Sequence, residues 1–391
     1  MSGIDSELSN LRIFCGHLLT PEEELENVFL EIESGRIKRL EYHASKPDCG
    51  EYLDASDNLV VPGFIDIHVH GGLGFDAADA SYEGLCKISL HLAAHGVTAF
   101  LPTIVTSPWQ CIVQAMQAIK EAVDRGTPGA VVLGAHLEGP YLSSEYKGAQ
   151  PAEFIRQPSA KEFDDYLRDY LAYIKMVTLA PELPGAEEVI GYLVSKGITV
   201  SVGHSAATYE EMIKAVNVGV TSATHTYNAM KPFHHRDPGL LGVVLTEDRV
   251  YAEIIWDNMH VHPAAAKMLV RAKGPHNVML VSDAIRASGL PDGEYELGGQ
   301  KVYVRQGKAR LDDGTIAGST ITLDDAVRNA AEYVGIRDAI RMATYTPARC
   351  IGISNQMGAV LPGLIASLAI LDRDLKVIQT FIAGKGFVPP T

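Results

Sequence analysis

Eight apolar runs recur through the middle of the chain, each followed by a segment long enough for a helix. They are "GFIDIHVH" (63–70), "VTAFLPT" (97–103), "VVLGAHLE" (131–138), "IKMVTLA" (174–180), "ITVSVGH" (198–204), "VTSATHT" (220–226), "VYAEIIWD" (250–257) and "NVMLVSD" (277–283). Near-continuous β-branched content of this kind predicts parallel strands buried on both faces. Between them, stretches such as "SYEGLCKISLHLAAHG" and "TYEEMIKAVNVG" have helical spacing and end in glycine, a usual helix stop. Eight strands with crossover helices predict an α/β fold of the (β/α)₈ TIM-barrel type. A doubly wound open sheet is the alternative, and the regular eightfold repeat favours closure.

The two ends follow a different rhythm. "LRIFCGHLL", "NVFLEIESGRIKRLEYH" and "YLDASDNLVV" alternate over short lengths with a turn at Ser34-Gly35, and "ASLAILDRDLKVIQTFIAG" near the C-terminus has the pattern of a hairpin. Each end is antiparallel in character and too small to hold a core alone. The prediction is that residues 1–60 and 344–391 pair into one small β-domain beside a barrel over residues 61–343. After the eighth run, "GLPDGEYELGGQKVYVRQGKARLDDGTIAGS" has the character of a hairpin excursion. No repeat beyond the βα rhythm and no low-complexity tract is present.

Composition narrows the class. With 391 residues, 47% hydrophobic and 21% charged, the chain can bury a large core. The net charge of −15 and the lack of a basic stripe argue against nucleic acid as a partner. The N-terminal segment has no basic region followed by a long apolar stretch, and no run is long enough to span a bilayer, so a cytoplasmic protein without membrane attachment is expected. Cys15, Cys49, Cys86, Cys111 and Cys350 are scattered and never in C-x-x-C spacing, which predicts reduced thiols and no cysteine metal site.

Active sites of such barrels form at the C-terminal ends of the strands. His68 and His70 end the first run, Glu138 the third, His204 the fifth, His225 the sixth and Asp283 the eighth; His260 follows the seventh. A single histidine in a half-buried strand is usually a hydrogen-bonded core residue. Several imidazoles and two carboxylates at equivalent heights on different strands instead predict a divalent-metal site. Alternate strand residues point the same way, so His68 and His70 can converge on one ion. Imidazole and carboxylate together suit Zn²⁺, Fe²⁺, Mn²⁺ or Co²⁺. Asp283, ionised beside a cation, is the candidate for proton transfer, with simple ligation as the alternative.

Other features are weaker. "HLAAH" (91–95) has i, i+4 histidines without a following glutamate, on a crossover helix, and predicts a surface or packing role. His136 can serve as a ligand or as support for one. His17, His43 and His276 carry no pattern. Arg236, in "HHRDPG", is a surface salt bridge or an anion contact.

Taken in order, "PGFIDIHVHGG", "HLEGPYLSSEYKGAQ", "VGHSAAT", "THTYNAM", "HRDPGL", "LVSDAI" and "IAGSTITL" resemble the motifs of the N-acetylglucosamine-6-phosphate deacetylases in the amidohydrolase superfamily, from about residue 56 to the C-terminus. The resemblance implies a (β/α)₈ barrel with a small β-sandwich built from both chain ends, and a homodimer. It implies Glu138, His204 and His225 as ligands of a main metal, His68 and His70 as those of a second in members that keep one, and hence one or two ions per subunit. Asp283 would be the catalytic acid/base, deprotonating a water that attacks the acetyl carbonyl and then protonating the amine. Asn228, the backbone at Ala229, His260 and Arg236 of the partner subunit would contact the 6-phosphate of an amino-sugar phosphate. Gln150 stands where some members carry a histidine near the substrate carbonyl, which puts that polarising role in doubt here.

Three readings remain open at this stage. One is this deacetylase, or a variant acting on N-acetylgalactosamine 6-phosphate. Another is an amidohydrolase for N-acyl-amino acids or cyclic amides. The third is a non-catalytic, metal-stabilised binder of amino-sugar phosphates.

Overall fold

The computed structural model describes residues 10–46 and 50–387; Cys49 and the outermost residues of both ends lie outside them. All eight apolar runs form parallel strands: Phe64–Val69, Val97–Val105, Ala135–Glu138 (preceded by Val131–Val132), Ile174–Leu179, Thr199–Val202, Ser222–Ala223, Tyr251–Ile255 and Val278–Val281. They hydrogen-bond in sequence order from first to eighth. The ring is closed by discrete bonds rather than by a further ladder. Asp283 N donates to His68 O at 2.9 Å, His70 N donates to Ala284 O at 2.8 Å, and Ser282 Oγ donates to Asp66 Oδ2 at 2.5 Å. Asp66 is fully buried, and burial pushes its carboxyl up to about 6 against the hydrogen bonds from Ser282 and His68 N. The result is the (β/α)₈ barrel expected from the repeat.

The helices begin and end where their sequences provide caps. Tyr82–Ala94 is capped by Ser81, whose side chain accepts from Gly84 N. Tyr209–Val218 opens with a capping box between Thr208 and Glu211 and stops at Gly219, with φ of 130°.

The barrel interior is layered. Ile65, Ile67, Leu101, Met176, Ile255 and Met279 form an apolar floor, on which Ala348, Ile351 and Met357 pack. Strict alternation would send Ile65 and Ile67 to the face opposite His68 and His70. The ladder between the first and second strands, however, slips by one residue between Asp66 and Val69. This bulge allows the isoleucines to join the floor while the histidines directly above join the site.

Above the floor lies a ring of hydrogen-bonded polar groups. Thr103 Oγ1 pairs with His136 Nδ1 at 3.2 Å, and His136 Nε2 pairs with Thr178 Oγ1 at 2.8 Å. Thr224 Oγ1 then links Thr178 and Ser201 at 2.7 and 2.6 Å. Such groups are stable at this depth because each finds a partner.

Both chain ends join in one seven-stranded sheet, in which Leu368–Leu371 runs antiparallel beside Leu53–Pro62. One pairing departs from the antiparallel expectation: Asn10–Leu19 lies parallel to Leu53–Pro62, with a register shift between Cys15 and His17. Gly16 sits at that shift, where a Cβ would meet Ser56 O at 1.9 Å. Cys15, Cys86, Cys111 and Cys350 are unpaired. No helix among the described residues is long and apolar enough to cross a membrane.

His91 packs in the interior, while partly exposed His95 has its Nδ1 3.1 Å from Asp324 Oδ1. His91 is buried, its Nε2 3.2 Å from Ser288 Oγ, and a Cβ at Gly72 or Gly289 would press its ring at 2.8 or 2.7 Å. Burial, with help from neighbouring His95, lowers its pKa to about 4. The folded state therefore resists a proton that the unfolded chain accepts below about 6.5. Stability from this group is present above pH 6.5 and lost as pH falls toward 4. In urea unfolding, the parent should lose about 2–3 kcal/mol more than His91→Gln between pH 7 and pH 4. Parallel pH profiles for the two proteins would refute this.

Candidate metal centre and substrate cavity

The ends of the strands place six predicted residues around one point. Glu138, His204 and His225 form one cluster and His68, His70 and Asp283 another, each with potential ligand atoms within 4.8 Å of one another. Glu138 Oε1 is 3.0 Å from His204 Nε2 and 3.1 Å from His225 Nε2. The same carboxylate faces the second cluster, with Oε1 3.6 Å from His68 Nε2 and Oε2 3.5 Å from His70 Nε2. Asp283 Oδ1 stands 3.0 Å from His70 Nε2 and 3.4 Å from His68 Nε2.

Backbone conformation contributes to this aim. His204, His225 and Asp283 have φ of 49°, 30° and 48°, all left-handed. Non-glycine residues avoid this region at a cost of about 1–2 kcal/mol each, and such strain gathers at functional sites.

Three of the four imidazoles are held from behind. His68 Nδ1 lies 3.0 Å from Glu253 Oε2, His70 Nδ1 3.1 Å from Thr103 O, and His204 Nδ1 3.0 Å from Tyr146 O. Only acceptors stand there, so each Nδ1 keeps its proton and each Nε2 is the nitrogen aimed at the cluster. His68 Nε2 is buried and makes no hydrogen bond despite the two nearby carboxylates. Imidazole nitrogens that face carboxylate oxygens suit a cation between them, and this donor set matches a divalent ion.

Burial, the largest influence on Asp283, would raise its pKa, but His68 and His70 outweigh it and hold the carboxyl down to about 2. Glu138 is likewise held well below its ordinary value, as His68, His204 and His225 overcome burial.

The clusters open into a cavity of about 240 Å³, also lined by Gln150, Asn228, Ala229 and His260. The three-stranded antiparallel sheet of Gly293–Leu297, Gln300–Arg305 and Lys308–Arg310 forms the predicted excursion, and Leu297 and Ile316 wall the cavity beside it. Asn228 Nδ2 donates to His225 O at 3.3 Å, and Ala229 has φ of 49°. His260 Nδ1 is anchored on Asp257 Oδ2 at 2.7 Å. Arg236 is not brought to the cavity of its own chain. It lies in an exposed loop, its guanidinium 2.8 Å from His235 Nε2.

Gln150 is engaged inward. Its Nε2 donates to Glu138 Oε2 at 2.6 Å, and its Oε1 accepts from Thr106 N at 2.8 Å. His136 stands in the polar ring, edge-on to His68 with ring centres 4.7 Å apart, and belongs to neither cluster. Sequence reasoning missed Glu253, Asp257, Asp66 and Thr103. The available signal for Glu253 was a lone carboxylate inside the apolar run "VYAEIIWD".

Residues 59–386 match the model of the amidohydrolase family. The chain belongs to that family. It is 39% identical over 370 residues to an N-acetylgalactosamine-6-phosphate deacetylase of Escherichia coli O157:H7, covering 94% of this chain and 97% of that one. It is 38% identical over 373 residues to the N-acetylglucosamine-6-phosphate deacetylase of Bacillus subtilis, covering 94% of each. A mutant N-acetyl-D-glucosamine-6-phosphate deacetylase of Mycobacterium smegmatis, solved in complex with N-acetyl-D-glucosamine-6-phosphate, superposes with a TM-score of 0.91 at 33% identity, covering 97% of this chain and 99% of that one.

Replacing Gln150 with leucine would leave Thr106 N and Glu138 Oε2 without these partners. The expected effect is a loss of about 1–3 kcal/mol in the metal-free protein, read from denaturant midpoints. An unchanged midpoint would show that the contact is not structural.

Proposed function

We propose that this protein is a metal-dependent deacetylase that hydrolyses N-acetylglucosamine 6-phosphate to glucosamine 6-phosphate and acetate. The observation that carries this reading is the pair of adjacent clusters at the base of the cavity, Glu138 of one facing the histidines of the other, in a chain similar over nearly its whole length to deacetylases of amino-sugar phosphates. Catalysis is assigned to the barrel, residues 61–343, with residues 1–60 and 344–391 as the supporting β-domain. The four unpaired cysteines support a cytoplasmic setting.

Glu138, His204 and His225 would hold one divalent cation and His68, His70 and Asp283 a second, with Glu138 between them. A bound cation supplies Lewis-acid polarisation of the acyl carbonyl and of water. Asp283, kept ionised, accepts the proton of the attacking water and returns it to the departing amine. Gln150 keeps Glu138 oriented, and with both ends of its amide engaged it is not assigned to polarising the carbonyl. His260, Asn228 and the backbone at Ala229 bind the 6-phosphate, and Arg236 of the partner subunit completes that site in a homodimer. Anchoring the phosphate orients the amide at the other end of the sugar. The exposed loop around Arg236, with Phe233 52% exposed, supports this cross-subunit role.

The test is acetate release from N-acetylglucosamine 6-phosphate, from its galactosamine epimer and from the unphosphorylated sugar, with bound metal counted on the same sample. Release only from phosphorylated sugars, abolished by a chelator and restored by metal, is expected. Metal without release would move the protein to another amidohydrolase substrate. Asp283→Asn should lower kcat by about 10²–10⁴-fold while sugar phosphate still binds; unchanged turnover would remove Asp283 from proton transfer. Arg236→Ala should raise KM with little change in kcat, and an unaltered KM would rule out the cross-subunit contact.

A further inference from the structure

Glu253 is a carboxylate fully buried in the middle of Tyr251–Ile255. Its Oε2 accepts from His68 Nδ1 at 3.0 Å and from His225 N at 3.3 Å, so one oxygen touches a member of each cluster. Its Oε1 has no hydrogen-bond partner among the described residues. Such burial is unfavourable unless the charge is offset nearby.

The four imidazoles are not supported equally. Backbone carbonyls stand behind His70 and His204, and His225 Nδ1 has no partner among the described residues. His68 alone has a carboxylate behind it, and a charge-assisted bond is roughly twice as strong as a neutral one. That bond fixes the proton on Nδ1 and raises the electron density at Nε2, the atom left without a hydrogen bond between Glu138 and Asp283. Glu253 reaches the other cluster only through the backbone of His225, whose imidazole lies 3.1 Å from Glu138 without help from Glu253.

We infer that Glu253 is a positioning residue that sets the number of cations held. It orients His68 for the His68–His70–Asp283 position, and weakening it empties that position before the Glu138–His204–His225 position. This rests on the two-cation reading given above.

The test is zinc titration calorimetry on metal-free parent, Glu253→Gln and Glu253→Ala, with metal counted after gel filtration. Glu253→Gln nearly preserves volume, and thermal unfolding of the metal-free form verifies that it folds even where Glu253→Ala does not. The parent should hold two ions. The glutamine variant should hold one with parental affinity and the second about 10–100-fold more weakly. In Mn²⁺-loaded samples, the magnetic resonance signal of a coupled pair should give way to that of an isolated ion. Two ions at unchanged affinities in the variant would overturn the inference while leaving the two-cation reading intact. Equal weakening of both ions would overturn the selectivity claimed for Glu253. A parent that holds one ion or none would overturn the two-cation reading itself, and this inference with it.

Discussion

Two carboxylates, Glu138 and Asp283, lie buried at the mouth of the barrel, and holding their charge there is the constraint around which the upper barrel is built. An isolated ionised carboxylate at this depth would take up a proton. Here four imidazoles surround the pair, and three are fixed by acceptors at their outer nitrogens. The ring of Thr103, His136, Thr178, Thr224 and Ser201 lies beneath them as a hydrogen-bonded platform. It allows these five polar side chains to sit between the apolar floor and the two clusters, each with a hydrogen-bond partner in the ring.

Strain and support are divided between strands in a consistent way. His68, His70 and Glu138 stand on or just past regular strand, whereas His204, His225 and Asp283 leave their strands in left-handed turns. Those turns persist because neighbouring bonds determine them. Asp283 N is tied to His68 O, and Ser205 N to Ala229 O. The bonds that complete the barrel between its first and eighth strands are thus among the bonds that aim Asp283, which joins the closure of the fold to the geometry of the site.

Much of this was legible in the sequence. The eight strands were readable because β-branched runs are a local signal, and the strand-end histidines because their position on a barrel is periodic. What was not legible depends on partners far apart in the chain. Glu253 and His68 are separated by 185 residues, and nothing within "VYAEIIWD" tells which side of the strand its carboxylate faces. The bulge between Asp66 and Val69 is a property of pairing with the second strand, so alternation along the first strand alone did not show why Ile65 and Ile67 share an interior with His68 and His70. The parallel pairing of Asn10–Leu19 with Leu53–Pro62 was hidden for the same reason. Gln150 stands out in the sequence only as a departure from a histidine, and its two amide contacts, to Glu138 and Thr106, are with residues 12 and 44 positions away.

The bulge also bears on how such a chain can change over generations. Point replacements in the first strand alter one side chain at a time, and a hydrophobic exchange in the floor can be absorbed by its neighbours. Loss of a single codon at the bulge would leave strict alternation with one interior position fewer, so the strand would give up either an isoleucine of the floor or an imidazole of the site. Length in this short stretch is therefore under tighter restraint than identity. Drift in the family should leave its insertions and deletions in the excursion after the eighth strand, where a longer or shorter hairpin reshapes the cavity wall without disturbing the register of the first strand.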